Sequence, residues 1–319
     1  MKKRLLMGSL FLISLVLGAC GASESKKQAN DGKIHVVATF YPMYEFTKAV
    51  VGEAGEVELL IPAGTEAHDY EPSAKAVAKM SEADAIVYNS SEFETWMANI
   101  ASNFEKSQTQ VIEAARGIEL MPMGEEEAHE DHDHDHDHDA TDNHQHHADP
   151  HVWLDPVLAQ IQVETIRDAL AEQFPEQKEY FYQQAQNYLT ELDQLDSEFK
   201  NTFTGAENRT FVTQHAAFSY LAKRYDLTQE SIAGLSSEEE PSPSRLAELK
   251  HFVQDHQIPA IYFEDNASSK VAQTLAKETG VELAVLSPIE SLTKEQQAAG
   301  DNYLSMMRQN LEALQISIR

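Results

Sequence analysis

The stretch that most limits how this chain can fold begins after Pro175. Helical periodicity runs from Glu176 to about Phe203, and at 1.5 Å per residue this makes a rod of roughly 40 Å. Such a rod is longer than one small lobe needs, so it reads as a strut spanning two lobes. Pro175 breaks the preceding helix, expected over residues 157–173, and favours a fresh start.

Strand and helix signals alternate on both sides of the strut. Before it come a strand over 34–40 (IHVVATF), a helix over 43–51 and a strand over 57–62 (VELLIP). The loop AGTEAHDYEP follows, then a helix opened by Pro72 and Ser73, a strand over 85–89 (AIVYN), an amphipathic helix over 93–104 and the strand TQVIEA. Past Gly205 the pattern restarts. TFVTQ, a helix over 217–225, a short strand near Glu230 and a helix capped by Ser242 and Pro243 precede the strand AIYFE. A helix over 268–279, the strand VELAVL and a terminal helix from Asn302 complete it. Alternation of this kind calls for parallel sheets. The expected fold is α/β: a lobe over 33–174 containing a histidine-rich loop at 125–149, a linking helix over 175–204, and a second lobe over 205–319. Roughly 290 residues are left for folding, enough for two cores.

The first residues read as a secretion signal over 1–19. They have a basic head (Lys2, Lys3, Arg4), an apolar run over 5–17, and Gly18 and Ala19 ahead of Cys20, the only cysteine. The run is short for a comfortable membrane span. Its Leu-Gly-Ala-Cys ending resembles a bacterial lipobox, in which the cysteine is lipidated and becomes the mature N-terminus. A lone cysteine in an exported protein cannot form an internal disulfide. Residues 20–32 then read as a tether to the cell membrane, on its extracellular face.

Eleven acidic residues and no Lys or Arg lie between Glu125 and Asp149, and the net charge of the chain is -29. Nucleic acid is excluded as a partner. Eight of the fourteen histidines fall in this same loop: His129, His132, His134, His136, His138, His144, His146 and His147. In an extended chain the alternation over 131–139 puts imidazoles on one side and carboxylates on the other. Such a tape catches divalent metal but cannot impose one geometry, so it is expected to be an auxiliary site of low specificity. A bland solvated insertion is the alternative.

Outside the tape, His68 follows the strand ending near Pro62, His215 follows TFVTQ, and Glu290 lies just past VELAVL. Ligands of open α/β sheets bind beyond the carboxyl ends of strands, where all three fall. His151, in DPHVWLDP, enters from the base of the tape. Two donors from each lobe would make a site in the cleft between them. Asp69, Asp149 and Asp155 are candidates for orienting the imidazoles. His35, within a strand, and His251 and His256, on a charged helix, read as ordinary histidines.

Six phrases carry a resemblance that covers the chain from Lys33 onward: ATFYPMYEF, AGTEAHDYEPSA, DPHVWLDP, TQHAAFSYLAKRYDL, FEDNASSKVAQTLAKETG and SPIESLT. In this order they resemble the metal-binding solute-binding proteins of bacterial ABC transporters, in the zinc lipoprotein branch of AdcA and ZnuA type. The resemblance implies two lobes joined by one rigid helix, with metal held by both. Carried over, it makes His68, His151, His215 and Glu290 the ligands. It implies a monomer that captures Zn²⁺ as transported ligand and delivers it to a membrane permease, with no catalysis. Some zinc members carry a further C-terminal metal-binding domain; this chain stops at Arg319, as a single-module or a truncated member.

The donor chemistry points the same way. Three imidazoles and one carboxylate suit four-coordinate zinc, whereas manganese favours more oxygen donors, and a manganese-type relative would carry a carboxylate at His215. A broad divalent-metal homologue, a surface adhesin or metal buffer, and a zinc hydrolase are the alternatives. The hydrolase needs an open coordination position for water, and no His-Glu-x-x-His helix is present.

Overall fold

A computed structural model describes residues 33–104, 107–122, 148–236 and 241–319. Four strands of the first lobe, β1 (Ile34–Ala38), β2 (Gly55–Leu59), β3 (Ala85–Tyr88) and β4 (Gln110–Glu113), form a sheet of order β2-β1-β3-β4. Every pairing is parallel. Helices α1 (Tyr41–Val51), α2 (Ala74–Met80) and the single turn α3 (Met97–Ile100) connect them. Ser73 caps α2 by accepting from the Ala76 amide at 3.3 Å, which satisfies one of the unpaired donors of its first turn. Gly55 is required by the register, because a Cβ there would stand 2.3 Å from the Ile34 carbonyl oxygen.

The second lobe repeats the plan. Its strands β5 (Thr210–Thr213), β6 (Thr228–Ser231), β7 (Ala260–Phe263) and β8 (Glu282–Val285) are parallel and ordered β6-β5-β7-β8. Between and after them run α6 (Ser219–Arg224), α7 (Pro243–Asp255), α8 (Lys270–Thr279), α9 (Lys294–Ala299) and α10 (Tyr303–Leu314). In both sheets the order reverses direction between the first and third strands, and the crevice beyond their carboxyl ends is where such folds take ligands.

Helix α4 (Pro156–Gln173) packs on α1 and β4 of the first lobe, and α5 (Lys178–Phe203) follows it into the second. The 26 residues of α5 make it about 39 Å long. Phe181, Ala185, Leu189, Leu192, Leu195, Phe199 and Phe203 are buried along it, steps of three and four that keep one stripe facing the core. At one end the Tyr180 hydroxyl accepts from the Glu53 amide of the first lobe at 2.9 Å. At the other, Phe199 stacks on Tyr225 with centroids 5.1 Å apart, and Arg308 of α10 donates to Glu198 at 2.8 Å. The strut therefore touches both lobes. Among the described residues no helix is long and apolar enough to cross a membrane.

Three local expectations differ. The helix expected over 93–104 shrinks to α3 and a 3-10 turn, Ala101–Asn103. Phe93 packs into the main core while Trp96, Met97 and Phe104 pack into a separate cluster, and the buried carboxylate of Glu94 bonds back to the Asn89 and Ser90 amides. One straight helix face cannot do all three. Strand β2 starts two residues earlier than expected and ends before Pro62, because its register with β1 runs from Ile34↔Gly55 to Ala38↔Leu59. Helix α9 was not expected. Its capping box, Thr293 with Gln296, was visible in the sequence.

Candidate metal centre

The four donors that the sequence places at strand ends and at the base of the tape come together. Past β2 the chain keeps pairing with β1, Leu60 donating to Ala38 at 2.8 Å and Ile61 to Thr39 at 2.9 Å, which aims the following loop so that His68 meets the other three. His215 stands two residues beyond β5 and Glu290 five beyond β8. His151 precedes a 3-10 turn, Val152–Leu154, that leads into α4. The ligating atoms of all four lie within 4.8 Å of one another, the one such group among the described residues.

Five of their six separations are short, and the sixth, between His68 and His215, falls within the same 4.8 Å. His68 Nε2 lies 3.2 Å from Glu290 Oε1 and 3.2 Å from His151 Nε2. His215 Nε2 is 3.4 Å from His151 Nε2, and Glu290 Oε1 is 3.5 Å from His151 Nε2 and 3.7 Å from His215 Nε2. Four donors each about 2.0–2.1 Å from a central zinc would stand about 3.3–3.4 Å apart. A cation of that size fits among them.

Carboxylates behind the rings fix which nitrogen faces inward. Asp149 Oδ1 accepts from His151 Nδ1 at 2.8 Å and from the His151 amide at 2.9 Å. Glu264 Oε1 accepts from His215 Nδ1. With Nδ1 carrying the proton, each Nε2 lone pair is free for the centre. His151, His215 and Glu290 are buried, and His68 is the most open of the four, its side chain 12% exposed. Phe93 stands edge-on to His68 with centroids 4.7 Å apart, and Trp153 lies against His151 at 5.1 Å. These rings keep water from one side.

Burial alone would lower the three imidazole pKa values. Glu290 facing His68, Asp149 on His151 and Glu264 on His215 override it, so all three sit above the usual histidine value. For Glu290 burial pushes upward, yet the three imidazoles hold its carboxyl well below the ordinary range. The centre is built around a charged carboxylate.

The Glu290 loop is held from several directions. Asn310 of α10 accepts from the Ser287 amide at 2.9 Å and donates to the Ser287 carbonyl at 2.7 Å. Trp153 Nε1 donates to the Pro288 carbonyl at 2.8 Å, and the Tyr41 amide to the Glu290 carbonyl at 3.4 Å. Ile289, fully buried, takes φ +59, a left-handed conformation that a β-branched residue rarely adopts. Strain beside a functional side chain persists only where its surroundings over-determine it. Here they do.

Of the candidate orienting carboxylates, Asp149 fills the role. Asp155 does not: it caps α4 through the Val157 amide at 2.8 Å and binds Arg224 of α6 at 2.8 Å, work that turns its oxygens away from the imidazoles. Asp69 is exposed. Glu264 was missed because the strand AIYFE takes it in as its last residue; β7 ends at Phe263, which leaves Glu264 beyond the strand's carboxyl end, as His215 is. His35 faces Glu58 at 3.5 Å and His256 stacks on Phe252 at 4.2 Å, while His251 also stays outside the cluster. The tape histidines (129, 132, 134, 136, 138, 144, 146 and 147) and Cys20 lie outside the described residues. The tape's base is described, where Pro122 and Ala148 form an antiparallel bridge two residues before Pro150.

A family model described as zinc-uptake complex component A, periplasmic (ZnuA) matches residues 36–316. The chain is 49% identical over 307 residues to the zinc-binding lipoprotein AdcA of Streptococcus pneumoniae strain R6, covering 96% of this chain but 60% of that relative, so it spans about three fifths of that protein's length. It is 47% identical over 314 residues to the high-affinity zinc uptake system protein ZnuA of Bacillus subtilis, covering 97% of each. Among solved structures, the Zn(II)-bound ZnuA-like domain of Streptococcus pneumoniae AdcA superposes with a TM-score of 0.77 at 46% identity, covering 90% of this chain and 99% of that one.

Proposed function

From the premise that this chain belongs to the ZnuA family of zinc-uptake complex components, we propose that it is the extracytoplasmic zinc-binding component of an ABC importer. Zn²⁺ is its cargo, held by His68, His151, His215 and Glu290 and delivered to a permease in the membrane. The observation that carries this reading is the convergence of three imidazoles and one carboxylate within 4.8 Å, five of their six separations being 3.2 to 3.7 Å, a donor set that suits four-coordinate zinc.

The same set argues against hydrolysis. Catalytic zinc keeps one position open for water. Glu290 takes that position here, and its depressed pKa suits a ligand rather than a general base. Around this core we place a signal over 1–19, lipidation at Cys20, a tether to residue 32, lobes over 33–174 and 205–319, and the linking helix over 175–204. The tape is an auxiliary, low-specificity metal site, and the protein works as a monomer without nucleic acid.

Growth in chelator-treated medium tests the reading. A strain lacking the protein is expected to stop growing when zinc is scarce and to recover when zinc, but not manganese, is restored. Normal growth of that strain, provided no second zinc importer operates in it, would contradict an importer role.

A further inference from the structure

One fully buried acidic group in the first lobe, its carboxyl pKa pushed up to about 7 by burial, belongs to neither the ligands nor the carboxylates behind them. Glu94 is 0% exposed. Its carboxylate accepts from the Asn89 amide at 3.1 Å, from the Ser90 amide at 3.1 Å and from the Thr39 hydroxyl. Thr39 and Asn89 stand one residue past β1 and β3, the two central strands between which the sheet order reverses. A hydrophobic side chain of similar size would fill the space without the cost of burying a polar group. A carboxylate is needed only where donors must be gathered.

Both ligand-bearing segments of this lobe start from those gathered strand ends. The Asn89 side chain donates to the Pro150 carbonyl at 2.9 Å, one residue before His151, and is itself held by Gln162 at 2.7 Å. The Thr39 carbonyl accepts from Ile61 at 2.9 Å, at the root of the loop that carries His68. Phe93, adjacent to Glu94, supports the His68 ring edge-on. Asn89, Thr39 and Gln162 are all fully buried, so no solvent path substitutes for these contacts. We infer that Glu94 is a positioning residue for zinc binding: without touching the ion or its ligands, it fixes the backbone from which His68 and His151 are presented. The inference rests on the zinc-binding reading above.

Its two acceptor oxygens matter as well as its shape. An amide in its place keeps one acceptor oxygen instead of two, so its NH₂ group either faces a backbone N–H or makes the Thr39 hydroxyl accept where it now donates. The Glu94→Gln variant of the purified protein is therefore expected to bind zinc about 10-fold more weakly, the low end of the range for groups bonded directly to metal ligands, since Glu94 acts one contact further out. Cobalt(II) bound at the site is expected to lose intensity in its visible tetrahedral bands, a signature that lowered fold stability alone does not produce. Thr39→Val removes one donor and keeps the shape, and is expected to weaken zinc several-fold in the same direction.

Zinc affinity by chelator competition, the cobalt spectrum and the thermal midpoint of the metal-free form are measured for each variant. Unchanged affinity and spectrum in Glu94→Gln overturn the inference, even if its midpoint falls. Should that variant fail to fold, Thr39→Val decides: weaker zinc binding supports the role and unchanged binding overturns it. The unsubstituted protein separates the two levels of the argument. If it binds no zinc tightly the zinc-binding reading falls with the inference, and if it binds while Glu94→Gln matches it, only the role of Glu94 falls.

Discussion

His151→Ala is expected to weaken zinc binding by about two to three orders of magnitude while leaving the metal-free fold in place. Zinc sites of four ligands are worth roughly 10–16 kcal/mol, so one ligand carries about 3 kcal/mol, and 1.4 kcal/mol is a factor of ten. His151 is the choice because it sits at the middle of the group, within 3.5 Å of His68, His215 and Glu290. Its removal also leaves Asp149, 2% exposed, without the ring it orients, so some loss of stability accompanies the loss of affinity. Calorimetric titration against a competing chelator, with circular dichroism as the control for folding, measures both. Affinity within threefold of the unsubstituted protein would remove His151 from the ligand set.

Acidification is the second large effect. Zinc takes neutral imidazole, so every proton bound to the empty site must leave before the metal enters. Burial alone would push those protons off, but Glu290, Asp149 and Glu264 hold them, and competition therefore begins above the free histidine value of about 6.5. The rings also repel one another's charge, so the protons come on as a coupled set. Between pH 7.5 and 5.5 the apparent affinity is expected to fall by at least about a hundredfold, since each bound proton contributes up to tenfold per pH unit below its pKa.

The metal-free protein should respond in the opposite sense. His68, His151 and His215 have folded pKa values raised above the unfolded value, so their contribution to stability is complete below about 6.5 and is lost as pH rises through the raised values. Thermal midpoints of the zinc-loaded and metal-free forms are thus expected to converge on acidification from pH 7.5 to 5.5. A constant gap between them, or zinc affinity independent of pH, would contradict the imidazole site.

Much of the fold and of the site is legible in the residues alone, for identifiable reasons. Period-two and period-3.6 patterns locate the strands and the long helix because burial imposes them over many residues, as Phe181 to Phe203 show along α5. His68, His215 and Glu290 are legible as a group because strand ends in parallel sheets converge on one edge. His151 is legible from its phrase. Glu94 and Ile289 are not. A glutamate in a segment with helical spacing reads as solvent-facing, and only the fold of 89–94 turns it inward onto the Asn89 and Ser90 amides. The left-handed turn at Ile289 is imposed by Asn310, Trp153 and Tyr41, residues far away in the chain, and no local preference announces it.

The central claim is that three imidazoles and one carboxylate, drawn from both lobes, close around a single zinc ion. X-ray absorption at the zinc edge, on protein loaded with one equivalent of metal, tests this most directly. Four-coordination with three imidazole nitrogens and one oxygen at about 2.0–2.2 Å is the predicted result, with one nitrogen lost in the His215→Ala variant. A six-coordinate, oxygen-rich shell, or a spectrum that His215→Ala leaves unchanged, would contradict it.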